Sequence, residues 1–338
     1  MTEMQYAKLG NTDIEVSKIC VGAMSFGEPG TMHDWTLDYS GSEQMIMHAL
    51  DLGINFYDTA NSYSNGTSEE YLGRAFRDNS VPRDKIVLAS KVYFNPGRLG
   101  KEAINREIEG TLRRLGTDYL DLYIIHRFDY ETPIEETMAA LNELVKAGKV
   151  RAIGASAMYG YQFHNMQQVA KDNDWAQFQT MENHYNLLYR EDERELIPIA
   201  KQFNVSLMPY SPLAAGHLSH AEWEVNTLRS QTDRVARGKY DRAKENDMQI
   251  VKRVAEVADK HNVSMSQVAL AWLWAKGVVA PIVGSTKANH LDDAVAALSL
   301  QLSDADISYL EEKYQPHKLV GAVAKNPAEG TVLIDEKK

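Results

Sequence analysis

The chain has 338 residues, 44% of them hydrophobic and 25% charged, which excludes an intrinsically disordered protein. Lys and Arg total 36 against 47 Asp and Glu, a formal net charge of −11, so nonspecific nucleic-acid binding is not expected. A single cysteine, Cys20, allows no intrachain disulfide.

In chain order, Gln5–Val16 alternates apolar and polar residues about Gly10-Asn11 and predicts a β-hairpin. Eight short β-rich runs follow: Ile19–Ala23, Asn55–Asp58, Ile86–Lys91, Leu120–His126, Val150–Ala155, Phe178–Met181, Val205–Tyr210 and Val279–Val283. Helical periodicity fills the intervals at Ser42–Leu52, Ser68–Arg77, Gly100–Leu115, Ile134–Ala147, Tyr159–Lys171, Glu193–Phe203 and Asp241–His261, and returns at Ala288–Leu298. Runs such as Leu122-Tyr123-Ile124-Ile125 are apolar throughout, as in parallel strands covered on both faces. Alternating βα units suit a doubly wound sheet or a (β/α)8 barrel, and eight units favour the barrel. We expect an α/β TIM barrel as one domain over 1–338, with a core of about 6–314, the hairpin in front and a C-terminal extension over 315–338. No secretion signal or membrane-length apolar run is evident, so a cytoplasmic protein without a membrane partner is expected. The Asn-x-Ser/Thr tripeptides at Asn65, Asn204 and Asn262 are read as chance.

Four polar residues stand at or just after predicted strand ends: Asp58, Tyr63, Lys91 and His126. Each has an ordinary reading, as a helix cap, a loop aromatic, a solvated terminus and a core histidine. In a barrel all four converge on the C-terminal face, where barrel enzymes work. Together they suggest proton donation to a carbonyl oxygen. A phenol with a pKa of about 10 is a poor acid near neutrality. Lys91 is expected to lower the Tyr63 pKa, Asp58 to hold Lys91, and His126 to hydrogen-bond the substrate oxygen. No Gly-x-Gly-x-x-Gly, Walker A, His-Glu-x-x-His or Gly-x-Ser-x-Gly motif occurs. His217 and His220 have no evident third ligand, so no metal is expected. Cys20 reads as a small core residue.

Five segments carry a resemblance: Gly53–Tyr63 continuing through Ser68–Gly73, Leu112–His126, Gly148–Ser156, Met208–Leu213 and Pro281–Lys287. In that order they resemble the motifs of the aldo-keto reductase superfamily, and most of all its bacterial general reductases, relatives of the potassium-channel β subunits. The resemblance implies a barrel binding NADP(H) across its C-terminal face, with Asp58, Tyr63, Lys91 and His126 as catalytic tetrad. It also implies carbonyl reduction with Tyr63 as proton donor. It places Tyr210 against the nicotinamide, Ser156 at the carboxamide, and Ser211, Pro212, Leu213 and Gly216 around the pyrophosphate. Gly22 and Met24 become backbone contacts, and Gly284, Ser285, Thr286, Lys287 and His290 hold the adenosine end. Lys287 suits a 2′-phosphate.

The chain departs from the pattern at Ala157, where Asn is frequent, and at Glu182, where Gln is usual. On the late helix, which carries His290, Asp293 and Ala294, it departs at His290, where Arg or Gln is common, and at Ala294, where Asn is common. An ionised Glu182 can only accept hydrogen bonds, and it brings a second carboxylate near Asp58. Arg229–Lys244 concentrates basic residues, Arg229 among them, and reads equally as a loop over the pyrophosphate or a solvated surface. Phe26, Trp35, Tyr93 and Phe128 are candidates to line a pocket for a small-molecule carbonyl substrate. Two further readings stay open: a slow-turnover NADP-binding regulatory module, and a lyase using Lys91 as nucleophile. Homo-oligomerisation is left open.

Overall fold

A computed structural model describes residues 2–224 and 228–324. The hairpin forms: β1 (Tyr6–Lys8) runs antiparallel to β2 (Glu15–Ser17), with Tyr6 opposite Ser17 and Lys8 opposite Glu15. Its turn is longer than the Gly10-Asn11 pair. Leu9 N–H donates to Ile14 O at 3.0 Å, and Thr12 N–H closes on Leu9 O at 3.0 Å.

All eight predicted strands are present: β3 (Cys20–Gly22), β4 (Phe56–Asp58), β5 (Val87–Val92), β6 (Leu120–Ile125), β7 (Val150–Ser156), β8 (Phe178–Glu182), β9 (Ser206–Leu207) and β10 (Ile282–Val283). They form one parallel sheet in the order β10-β3-β4-β5-β6-β7-β8-β9. Val279 N–H donates to Leu207 O and Ile282 N–H to Pro209 O, both at 3.0 Å, so the two edges meet and the sheet curls into a (β/α)8 barrel.

Alternation along the strands separates two cores. Cys20, Phe56, Val87, Ala89, Leu122 and Ile124 point inward, where Leu9, Ile14 and Val16 of the hairpin join them. Tyr57, Leu88, Val92, Tyr123 and Ile125 point outward against the helices. The same period of two puts Asp58, Lys91 and His126 in phase with the inward set. Cys20 is fully buried with a free thiol, as its strand position predicts.

The helices α1 (Tyr39–Asp51), α2 (Thr67–Asp78), α3 (Lys101–Leu115), α4 (Ile134–Lys146), α5 (Gly160–Asp172) and α6 (Leu196–Gln202) fill the predicted intervals. Gly73 lets α2 approach α3, because a Cβ there would lie 2.1 Å from Leu115 O. The basic segment, expected as a loop, holds α7 (Leu228–Thr232) and α8 (Arg234–Tyr240). Beyond it lie α9 (Lys244–His261), α10 (Met265–Ala275), α11 (Ala288–Ala296) and α12 (Asp304–Glu311). Neither α10 nor α12 is among the periodic stretches of the sequence. Val268–Leu273 in α10 is buried residue after residue, so its helix has no polar face to set a period.

Asn65, Asn204 and Asn262 all adopt positive φ. Asn tolerates that conformation, which accounts for each without glycosylation. Of the C-terminal extension, Gln315–Ala324 is described, and 325–338 lies outside the described residues.

Candidate active site

Lys91 is fully buried, and inside an apolar barrel a bare ammonium is costly. Its Nζ donates to Asp58 Oδ2, to Thr59 O at 3.0 Å and to the Tyr63 hydroxyl at 3.2 Å. Glu182 Oε2 lies 3.5 Å away on the far side. One cation thus serves two carboxylates, themselves 2% and 3% exposed. The His126 ring stands edge-on to Tyr63 with centroids 5.7 Å apart. The four predicted tetrad residues therefore meet at one point, brought there by β4, β5, β6 and the short turn Tyr63–Gly66.

The electrostatics differ from expectation in one respect. Burial raises the Tyr63 pKa, Asp58 and Glu182 add to that, and Lys91 only partly offsets it. Tyr63 is held as a neutral phenol. Burial works against the Lys91 ammonium, but Asp58 and Glu182 keep its pKa well above the ordinary value. Burial raises Asp58 against the pull of Lys91. Glu182 is pushed up to about 8 by burial and the Asp58 charge. His126 is held neutral by burial, by Lys91 and by Arg127.

Most of the residues singled out for a cofactor lie at the ends of the barrel strands or in the turns that follow them. Ser156 stands opposite Glu182 in the β7–β8 register. Gly22 and Gly284 approach closely, and a Cβ on Gly22 would meet Ile282 at 2.8 Å. Met24 lies in the adjoining turn Ala23–Ser25. Tyr210 stacks on His184 at 5.3 Å, and His184 stacks in turn on Tyr189 at 4.2 Å. The Ser211–Gly216 loop, with Pro212 and Leu213 inside it, has left-handed backbone at Ser211, Ala214, Ala215 and Gly216. Beyond Thr286, the Ser285 hydroxyl clasps both backbone groups of Lys287, at 2.8 and 3.0 Å, just ahead of α11. His290 N–H donates to Lys287 O at 3.1 Å, and its side chain is exposed. Ala294 is buried, and Asp293 accepts from Ser264 and Gln267 across the α10–α11 contact.

The proposed pocket residues divide. Phe26 and Phe128 are buried in the core, at 1% and 4% exposed. Tyr93 is half-buried against Phe94, which is 47% exposed. Trp35 stacks on His33, and the Arg229 guanidinium sits 4.5 Å above its ring. Asp233 also pairs with Arg229, at 3.2 Å. The loop carrying Trp35 thus meets α7 of the basic segment. The sequence reading passes over two residues, His184 behind Tyr210 and Arg127, whereas Lys239, with its ammonium 4.7 Å above the Tyr210 ring, falls within the basic segment it singles out. A cation directly after the strand-end His126 was the available signal for Arg127. His217 stacks on Trp223 at 4.0 Å. Among the described residues, no group of three His, Cys, Asp or Glu could hold a metal, and no helix is long and apolar enough to cross a membrane.

Comparison with known proteins agrees with this geometry. The profile of the aldo/keto reductase family matches residues 18–315. Versiconal hemiacetal acetate reductase of Aspergillus parasiticus is 40% identical over 337 residues, covering 93% of this chain and 98% of that protein. Aldo-keto reductase AMT2 of Alternaria alternata is 40% identical over 341 residues, 92% of this chain and 91% of its own. Aldo-keto reductase dtxS3 of Metarhizium robertsii is 38% identical over 350 residues, 95% and 94% of the two chains. With the match spanning nearly the whole barrel, the chain belongs to the aldo/keto reductase family.

Proposed function

We propose that this oxidoreductase is an NADPH-dependent carbonyl reductase on a single barrel domain, with Tyr63 as the general acid. The observation that carries the reading is the Lys91 ammonium touching both Asp58 and the Tyr63 hydroxyl in a closed site. Tyr63 holds its proton, so it can hydrogen-bond a carbonyl oxygen and give up that proton as negative charge develops there. Lys91 compensates the resulting phenolate, and Asp58 keeps Lys91 charged and in place. Neutral His126 steers the same oxygen.

The residues present fit a nicotinamide dinucleotide. Tyr210 offers an aromatic ring, Ser156 and Glu182 offer polar groups at adjacent strand ends, and the exposed Gly284 leaves its backbone open to a ligand. Glu182 Oε2 is buried without a hydrogen-bond partner, so its carboxyl group has capacity left to hydrogen-bond a carboxamide. Once bound, the reduced nicotinamide supplies the hydride that no side chain can. Lys287 ahead of α11 favours a 2′-phosphate, hence NADPH over NADH. A Schiff-base role for Lys91 runs against its charge, since an ammonium is no nucleophile. A cytoplasmic setting suits the single free thiol.

The test is NADPH oxidation with 4-nitrobenzaldehyde, wild type against Tyr63→Phe. We expect turnover in the wild type and a loss of roughly 10²–10⁴-fold in the variant. Equal rates in the two proteins would remove Tyr63 from the chemistry. NADPH binding with no turnover in either would favour the regulatory reading.

A further inference from the structure

Arg127 follows His126 at the rim of the barrel and is half-buried. Its guanidinium lies 4.6 Å from the centroid of the Phe94 ring, and that ring stands edge-on to His126 at 5.0 Å. One aromatic ring therefore separates the guanidinium from the imidazole at the reacting centre. The nearest acid in sequence, Asp129, is already engaged. It accepts from Leu99 N–H at 3.2 Å, Glu131 N–H at 3.0 Å and Thr132 Oγ1 at 2.7 Å, and it pairs with Arg98 at 3.5 Å. Among the described residues, no carboxylate lies within ion-pair distance of Arg127.

Lys239 is also without an acid partner within that distance among the described residues, above Tyr210 on the other side of the mouth. Burial pushes its amine down to about 8, and the Arg127 charge contributes. The same charge lowers His126. Arg127 is thus close enough to be felt on both sides of the mouth. Elsewhere in this acidic chain, sheltered arginines are matched: Arg83 by Asp121, Arg114 by Glu69, Arg190 by Glu193 and Glu311. An unmatched guanidinium beside the reacting centre leaves its planar donor fork for a ligand.

We propose that Arg127 is a specificity-determining residue that binds an oxyanion on the substrate, so that the preferred substrates are aromatic or similarly apolar aldehydes and ketones bearing a carboxylate or phosphate. The apolar body would lie along Phe94 and Tyr93 while the carbonyl reaches Tyr63 and His126. This inference rests on the reductase reading for its chemistry, but its binding part can be read separately.

The experiment compares 3- and 4-carboxybenzaldehyde and 4-formylphenyl phosphate with neutral 4-nitrobenzaldehyde. Binding is read by calorimetry, and turnover by NADPH oxidation. The proteins are the wild type, Arg127→Gln and Arg127→Lys, with circular dichroism to verify the fold. The readout is the ratio of anionic to neutral aldehyde in one protein divided by the same ratio in another, which cancels intrinsic reactivity. We expect Arg127→Gln to lower the preference by roughly 10- to 100-fold, mainly through KM, and Arg127→Lys to restore part of it. Stronger preference for the carboxylates than for the phosphate, or the reverse, identifies the oxyanion. Absence of an anionic preference in the wild type, or its full survival in Arg127→Gln, overturns the proposal. Selective binding lost in Arg127→Gln without turnover of any aldehyde would keep the anion site and defeat the reductase reading. Turnover that ignores the anion would do the opposite.

Discussion

Two buried charge clusters sit at opposite ends of the barrel and are built to opposite balances. Near the start of β6, Asp121 is 1% exposed and surrounded by donors. Arg83 reaches it at 2.7 Å, Leu88 N–H at 2.9 Å and Arg151 at 2.8 Å. At the C-terminal end, Lys91 is shared by Asp58 and Glu182, while Asp58 Oδ1 and Glu182 Oε2 have no hydrogen-bond partner. The first cluster is one buried acid between two cations, with Arg83 also donating to Ile86 O and Tyr119 O and Arg151 also pairing with Asp13. The second is one cation between two acids, with acceptors left over. Buried polar groups are nearly always satisfied, so two acceptors left over beside one shared cation suit the reductase site proposed above better than a purely structural ion pair.

Four measurements sharpen or break that contrast. The largest effect is expected from Lys91→Met, which removes the shared cation. Turnover of 4-nitrobenzaldehyde should fall by roughly 10²–10⁴-fold, and a variant that keeps near-native turnover would show that the cluster is structural after all. Next comes Asp121→Ala, which removes the buried carboxylate shared by Arg83, Arg151 and the Leu88 N–H. Urea denaturation should register a loss of about 3–5 kcal/mol, with turnover per folded molecule unchanged. If activity fell instead, the two ends would not be separable.

Glu182→Gln tests the surplus acid directly. Because its folded pKa is raised to about 8, the folded chain keeps a proton that the unfolded chain releases. Wild-type stability should therefore fall as pH rises between roughly 5 and 8. Glu182→Gln should lack this fall, so its stability relative to wild type should improve across that window by about 1.4 kcal/mol or more, the equivalent of one pKa unit. Parallel pH curves for the two proteins would remove Glu182 from the coupled cluster.

The smallest effect lies far from both clusters, at the α12 cap. Burial works against the Asp306 carboxylate, but Lys260, Ser303 and His261 hold its pKa well below the ordinary range. That contribution is complete above the unfolded carboxylate pKa of about 4 and is lost as pH falls below it. Asp306→Asn should cost about 1 kcal/mol near neutral pH and progressively less in acid. A constant difference would assign the loss to the capping hydrogen bonds rather than to the charge.

Much of this is legible in the sequence. The eight strands were readable because parallel barrel strands are apolar on both faces, and the helices between them because one face of each is wet. Asp58, Lys91 and His126 were readable because a period of two, extended one step past an apolar strand, points a polar residue into the barrel mouth. What escaped has equally definite reasons. Met265–Ala275 has no polar face, so nothing in its spacing marks a helix. Arg229–Lys244 reads as a loop, over the pyrophosphate or solvated, because its charges are dense, yet it holds α7 and α8, whose cations stand over Trp35 and Tyr210. The Tyr63 pKa was expected to fall because Lys91 is near, but the depth of burial decides the sign, and depth is a property of the closed barrel.

The sequence by itself determined the order of strands and helices, the inward phase of the polar strand-end residues and the family, since all three depend on local spacing and residue type. The closed barrel is what divides Lys91 between two acids, engages Asp129 and, among the described residues, leaves Arg127 without a carboxylate. Those facts depend on which side chains from distant strands and loops reach one another first, and curling the sheet into a barrel settles that competition.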